Sequence, residues 1–295
     1  MKLLTIKRNG TNRLGVKTDK GIIDIGRQVE NFQNLSLPTE IMEVVHGGEE
    51  VVGLLETYVK ESDESKMAFL SENDDFEWGP CITNPEKIIC VGLNYCQHAD
   101  ETGASYPESP ILFSKFNNTL TGHNSHISIP KSTEQLDYEV ELGIVIGRRA
   151  KDVPEEDALN YVFGYCTAND LSARDLQFKT NQWLLGKTCD DFSPIGPYLV
   201  TKDEVKDPNN LALRTIVNGI ERQNSNTSDM IFNCKELISY ISHHMTLEPG
   251  DLILTGTPEG VILGEPEDKR NYLKPDDEVT VEIEKLGALT NRFIY

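Results

Sequence analysis

The sequence predicts an α+β protein that is mostly β, with a small N-terminal domain over residues 1–80 and a larger domain over residues 81–295. Three observations point there. After residue 80 the chain is dense in β-branched runs cut by Gly and Pro, such as "LGIVIG", "VFGYCTAND" and "DEVTVEIEKLG". Long helical patterns are few in that stretch. The texture also changes near residue 80, where "ESDESKMAFLSENDDFEWGP" mixes charge, Ser, Gly and Pro without a regular period and reads as an extended connection.

Taken in order, "KLLTIKRNG", "RLGVKTDKG" and "IIDIG" read as short strands separated by Asn-Gly and Lys-Gly turns. The stretch from "TEIMEVVHGG" through "VVGLLETYVKES" reads as one or two helices. In the larger domain "VNGI", residues 217–220, predicts a two-residue hairpin loop, because Asn-Gly accepts the positive φ angles such a loop requires. "DMIFNCKELISYISHHM" predicts the main helix there, with Thr227 or Ser228 as its cap and Pro249-Gly250 shortly past its end.

Charge and cysteine usage narrow the function classes. A net charge of −20, with no run of Lys or Arg, repels nucleic acid and anionic lipid. "MKLLTIKRNG" is too short in its apolar part, and too soon interrupted by Lys7 and Arg8, to be a secretory signal, and no apolar run reaches membrane-spanning length. Six cysteines without a CxxC pair fit buried thiols in a reducing compartment, not a disulfide framework or a zinc site. The expectation is a cytoplasmic protein whose partners are small molecules, cations or copies of itself.

The stretch "LDYEVELGIVIG", residues 136–147, raises the chemical question. On a strand, Asp137, Glu139 and Glu141 share one face, which continues as Gly143, Val145 and Gly147. A solvent-facing row is one reading. The small apolar continuation favours a face that enters the protein, where carboxylates about 6–7 Å apart repel unless a cation or proton compensates. A hard divalent ion, which prefers oxygen ligands, is the second reading. Asp170, at the end of the apolar strand in "YVFGYCTANDLSARDLQ", is either a site residue or a cap for the following helix. His98 and Glu101, three apart in "NYCQHADE", share a face if that segment is helical and are either an exposed pair or a carboxylate-oriented imidazole base.

"NYCQHADE", "LDYEVELGIVIG", "ANDLSARDLQ", "WLLGKTCDDFSPIGP", "VNGIERQ…TSDMIF" and "LEPGDLILTGTPEGV" occur in the order, and at roughly the spacing, of the fumarylacetoacetate hydrolase superfamily, and resemble most its acylpyruvase-like and oxaloacetate-decarboxylase-like members. The resemblance runs from about residue 85 to the C-terminus. It implies a mixed β-barrel-like or β-roll catalytic domain, a homodimer, and one Mg²⁺ or Mn²⁺ per subunit held by Glu139, Glu141 and Asp170. It further implies that Lys187 faces the substrate oxygens, that His98 and Glu101 form a proton-transfer pair on a lid continued by "TGASYPESP", and that Arg174, Gln177 and Thr257 hold substrate. "GTPEGVILG" departs from a common GTPxGVG pattern by placing Ile262 where a glycine is frequent.

Three readings follow from that resemblance. The first is hydrolysis of a carbon–carbon bond in a 2,4-dioxo acid of the fumarylacetoacetate or acylpyruvate type through a metal-stabilised enolate. The second is oxaloacetate decarboxylation, or hydration or isomerisation of 2-oxo-dienoic dicarboxylates. The third is a non-catalytic binding protein on the same fold, which the complete set of acids, lysine and His–Glu pair disfavours.

Overall fold

The computed structural model describes residues 1–32, 36–62, 67–70 and 76–295. Much of the connection expected before residue 80 lies outside the described residues. The first two strands, Lys2–Arg8 and Thr11–Thr18, form a hairpin around Asn9 (φ 50°) and Gly10 (φ 77°). The expected Asn-Gly turn is present, and both angles are positive as a two-residue hairpin loop requires. A third strand, Gly21–Asp24, follows and ends in Asp24, whose side chain accepts from the Arg27 N–H and caps the helix Ile25–Asn31. The helical stretch Ile41–Glu61 is interrupted at Gly48, where φ is 59°, so the expectation of one or two helices is met as two segments joined at a kink.

These N-terminal strands continue the main sheet. Its order is Phe69–Leu70, Gly21–Asp24, Thr11–Thr18, Lys2–Arg8, Ser193–Thr201, Val162–Asn169, Val140–Ile146, Leu252–Leu254, Ile88–Gly92 and Ile111–Lys115. Leu3 pairs with Leu199, so the change of texture near residue 80 is not a gap in the sheet. The two end strands of this path do not pair with each other, so the mostly β, barrel-like or roll expectation is met by an open sheet and not by a closed barrel. Closure would need the strands to tilt and stagger back onto the first edge. Here the helices Ile25–Asn31 and Ile41–Glu61 pack beside the N-terminal strands, with Ile25, Val44, Val45 and Leu55 joining Leu199, Phe163 and Leu254 in one core.

A second sheet, in the order Ile220–Asn226, Ala212–Val217, Glu278–Ile283, Gly287–Ile294 and His126–Ser128, covers the other face. Its inward Leu213, Val281, Ile283 and Phe293 share a core with Val140, Leu142, Ile144 and Ile146. The strand Val140–Ile146 is therefore buried on both sides throughout its length, which is why it reads as an almost unbroken apolar run. The hairpin at "VNGI" forms as expected, with Asn218 at φ 50° and Gly219 at φ 79°. A side chain at Gly219 would be strained by its backbone even though the space around it is open.

The principal helix of this region is Cys234–His244, and Leu237, Ile238 and Ile241 bury against the second core. Truncating any one of them to Ala removes about 2–5 kcal/mol. Its cap is Asn233, whose side chain accepts from Lys235 N and Glu236 N while Glu236 reaches back to Asn233 N. This corrects the assignment to Thr227 or Ser228. The segment before the helix is held elsewhere, with Ile231 N donating to Asn94 O and Met230 bridged to Tyr95. His243 and His244 close the last turn, as a pair complementing the helix dipole should. No helix among the described residues is long and apolar enough to cross a membrane.

Candidate active site

The site forms where two antiparallel strands of the main sheet end together. Val140 is opposite Asn169, so Glu139, just before one strand, and Asp170, just after the other, meet at the same edge. Asp170 N donates to Glu139 O at 2.9 Å, and Glu139 N to the Asn169 side chain at 3.0 Å. Glu141 projects on the same side. One oxygen from each of Glu139, Glu141 and Asp170 lies within 4.8 Å of the others, and the three side chains are 5, 2 and 0 % exposed. The solvent-facing reading is thereby excluded, as is the capping role of Asp170: the helix Arg174–Gln177 begins at Ala173 without a side-chain cap.

Asp137 leaves the row. Residues 138 and 139 are outside the strands, and the Asp137 carboxylate accepts from Ile262 N at 2.9 Å, Leu263 N at 3.0 Å and Arg174 Nε at 2.9 Å. Asp137 therefore anchors the loop after "GTP". Ile262, in place of the frequent glycine, keeps the backbone donor that any residue but proline would offer and adds a side chain buried in the second core.

Repulsion among the acids is answered by three buried cations. Lys187 Nζ is 2.5 Å from Glu139 Oε2 and 2.8 Å from Asp170 Oδ2. Arg174 Nη2 lies 2.7 Å from Glu139 Oε1 and 2.8 Å from Asp137 Oδ2. Lys115 Nζ, at 2.5 Å from Asp170 Oδ1 and 2.6 Å from Phe192 O, completes the set. Burial alone would raise the Glu139 carboxyl, but Arg174 and Lys187 outweigh it and hold it at about 2. Lys187 and Arg174 are held charged in turn, because their acid neighbours overcome the burial that opposes it.

Among the described residues no cation forms an ion pair with Glu141. Its Oε2 accepts from Gly256 N at 2.8 Å, in a backbone that only a φ of 98° allows. Burial, reinforced by Asp170 and Glu139, pushes its carboxyl well above the ordinary range. Three hard oxygen donors, one of them without a counter-charge, fit a divalent cation of the Mg²⁺ or Mn²⁺ type.

His98 lies on the short helix Cys96–Thr102, one turn before Glu101. Its Nδ1 is 2.8 Å from Glu101 Oε1, while Glu101 Oε2 accepts from Gly260 N at 3.0 Å. A carboxylate against Nδ1 places the ring proton there and leaves Nε2 as the base. Eight of the nine residues singled out from the sequence border one cleft of about 210 Å³; the ninth, Glu101, stands behind His98. Gln177 Oε1 accepts from Arg174 Nη1 at 2.9 Å, and Thr257 Oγ1 accepts from Gln223 Nε2 at 2.9 Å. An apolar part of the lining is formed by Phe113 and Trp183, stacked edge to face at 5.4 Å, with the Lys187 ammonium 5.2 Å from the Phe113 ring. Thr102 and Ala104, where the expected lid begins, border the cleft.

Lys115, Gln223 and the anchoring role of Asp137 were not found by sequence reasoning. The signal for Lys115 was a lysine closing the apolar strand Ile111–Lys115. Gln223 is the single buried residue of the strand Ile220–Asn226 and had no local signal. His123 accepts from Thr290 N and packs against Trp78, outside the cleft.

A mostly β enzyme fold that gathers buried carboxylates beside a His–Glu pair is the class that architecture and site define. Comparison narrows it: residues 87–294 match the family described as Fumarylacetoacetate (FAA) hydrolase C-terminal, and the chain belongs to the fumarylacetoacetate hydrolase family. It is 44 % identical over 284 residues to the mitochondrial oxaloacetate tautomerase fahd2 of Xenopus laevis, covering 95 % of this chain and 85 % of that protein. Among solved structures it resembles a fumarylacetoacetate hydrolase from Exiguobacterium antarcticum, with a TM-score of 0.84, 34 % identity, and coverage of 100 % of this chain and 99 % of that one. It also resembles a maleylpyruvate hydrolase from Sphingobium sp. SYK-6 in complex with manganese(II) and pyruvate, with a TM-score of 0.79, 27 % identity, and the same coverage of 100 and 99 %.

The Xenopus relative is named as mitochondrial, which overturns the cytoplasmic expectation. That expectation rested on the lack of a secretory signal pattern and of a membrane-spanning run together with free thiols, and cysteine usage reports only a reducing environment, not which compartment supplies it.

Proposed function

We propose that the protein enolises a small 2-oxo dicarboxylic acid with the help of Mg²⁺ or Mn²⁺, and that keto–enol interconversion of oxaloacetate is its reaction. The observation that carries this reading is that His98 and the buried acids border one small cleft. The identity to the Xenopus tautomerase supports it. Glu139, Glu141 and Asp170 would hold a divalent cation, which when bound would supply Lewis acidity for enolisation. His98 Nε2 takes the proton from the carbon beside the oxo group, and the imidazolium, steadied by Glu101, returns a proton to oxygen. One C–H bond breaks and one O–H bond forms. Lys187 and Arg174 oppose the charge that gathers on the substrate's oxygens, and Gln177 and Thr257 offer it neutral hydrogen bonds.

Hydrolysis of a 2,4-dioxo acid is the second reading, supported by the likeness to the two hydrolase structures. His98 then activates water for attack on the distal carbonyl. Oxaloacetate decarboxylation uses the same enolate without that water. The test follows the ultraviolet absorbance of enol-oxaloacetate, and acylpyruvate cleavage in parallel, with chelated and Mg²⁺- or Mn²⁺-loaded protein. Metal-dependent acceleration of enol loss without pyruvate release is expected. Faster cleavage of an acylpyruvate replaces the tautomerase reading by the hydrolase one, and prompt pyruvate release from oxaloacetate replaces it by decarboxylation.

The homodimer is also proposed. Phe178, Leu184 and Leu185 are exposed on a segment bordering the cleft, and apolar side chains grouped in this way mark contact surfaces. Light scattering that gives a monomer at micromolar concentration overturns it.

A further inference from the structure

Gln223 sits on the edge strand of the second sheet, between exposed neighbours, and is itself completely buried. All four of its hydrogen-bonding positions are filled. Its Oε1 accepts from Val140 N at 3.1 Å and from Thr215 Oγ1 at 2.7 Å. Its Nε2 donates to Thr257 Oγ1 and to Pro258 O, both at 2.9 Å. The orientation of the amide is not interchangeable. A main-chain N–H can only donate and a carbonyl can only accept, so Val140 fixes which end is oxygen and Pro258 fixes which end is nitrogen.

That polarity passes to Thr257. Because Gln223 donates to it, the hydroxyl oxygen is engaged as an acceptor and its single hydrogen must go elsewhere. Among the described residues no acceptor receives it, and Thr257 borders the cleft. We infer that Gln223 is a positioning residue that aims the Thr257 hydroxyl hydrogen at the cleft, so that this hydroxyl donates to an acceptor bound there: a carboxylate, oxo or enolate oxygen. The inference rests on the reading of this cleft as a 2-oxo acid site and adds to it a stated direction for one hydrogen bond. It also explains why a strand remote from the catalytic edge contributes a buried amide at its only buried position. Without Gln223 the Pro258 carbonyl loses its donor, and the Thr257 hydroxyl is free to turn back onto it.

The test measures pyruvate binding to Mn²⁺-loaded protein by calorimetry for wild type, Thr257→Val, Gln223→Met and the double variant. Each single variant is expected to raise the dissociation constant about tenfold, and the double variant no further than Thr257→Val alone. Thr257→Ser, which keeps the hydroxyl, is expected to bind like wild type. Gln223→Met binding as tightly as wild type overturns the inference, as do losses that multiply in the double variant. Neutron diffraction from the deuterated wild-type protein tests the geometry without any substitution and without any ligand. A Thr257 deuteron directed into the cleft supports the inference, and one directed at Pro258 or Gln223 overturns it. A wild-type protein that shows this deuteron yet does not bind pyruvate refutes the 2-oxo acid reading while leaving the polarity of Gln223 and Thr257 standing.

Discussion

On one side of the cleft, Glu139 and Asp170 stand at the ends of central strands, each held by two buried cations. On the other, His98 rides a seven-residue helix and is steadied by Glu101, which is itself fixed to the rest of the protein through the Gly260 N–H. The first side is an electrostatic network embedded in the sheet. The second is a pair of hydrogen bonds at a loop. Removing a member of the network should therefore disturb stability and ion binding together, whereas removing a member of the pair should disturb chemistry and leave the fold alone.

The sharpest break in that contrast comes from the acids. Glu139→Ala with Glu141→Ala, or chelation of the wild-type protein, is expected to abolish turnover and the stabilisation that an ion gives the native state. Calorimetric melting with and without Mn²⁺ checks it, and an unchanged melting temperature with full activity removes the metal assignment. Next, His98→Ala should lower turnover ~10²–10⁴-fold while Mn²⁺ affinity and melting stay as in wild type. If ion binding falls with it, the two sides are one network and the contrast is wrong.

Lys115→Met probes the same contrast from the buried side. It leaves Asp170 Oδ1 without its ammonium, and breaking a buried ion pair costs about 3–5 kcal/mol. Urea unfolding of the metal-free variant measures this, and a loss under 1 kcal/mol, the range of an exposed pair, would show that Lys115 does not hold Asp170.

The pH dependence is smaller. The folded protein keeps a proton on Glu141 at pH values where the unfolded chain has lost it, because burial and the neighbouring acids raise that carboxyl well above its ordinary value. The apoprotein's stability from this group therefore falls as pH rises above the unfolded value. An incoming cation must displace the proton, so ion binding strengthens over the same interval. The rise in melting temperature caused by Mn²⁺ should grow as pH rises above the ordinary carboxylate range. Glu139 behaves oppositely: its contribution is present above 4.5 and lost only as pH falls toward about 2. The mildest change is Glu101→Gln, which keeps the imidazole in place and should reduce turnover less than His98→Ala does; equal losses would make Glu101 a reacting group in its own right.

The parts of this site that could be read from the sequence are those whose geometry is local. Glu139 and Glu141 share a face because strand side chains alternate, and His98 meets Glu101 because residues three apart on a helix are neighbours. The Asn-Gly turns at residues 9–10 and 218–219 were legible for the same reason. Lys115 reaches Asp170 across 55 residues of sequence, and Gln223 reaches Thr257 across 34; no period or spacing connects such positions. Asp137 followed the alternation on paper, and escaped it because the strand is interrupted at residues 138 and 139. The cap at Asn233 was missed because Thr227 and Ser228 carry equally suitable side chains, and only the attachment of Ile231 to Asn94 decides between them.

The pairing of Leu3 with Leu199 has a consequence for how the protein is made. A ribosome adding roughly 5–20 residues per second exposes the first hairpin some ten to forty seconds before its partner strand Ser193–Thr201 exists. Thr5, Ile6 and Lys7 find Glu77–Gly79 early, but during that interval the end of the edge at Lys2 and Leu3 and the apolar side chains of Leu3, Leu14 and Val45 lack the strand they join. Such long-range closure is slow, and an unpaired apolar edge is a template for aggregation. Newborn chains should therefore depend on a holdase acting on the first sixty residues, well before either acid of the catalytic edge has been synthesised.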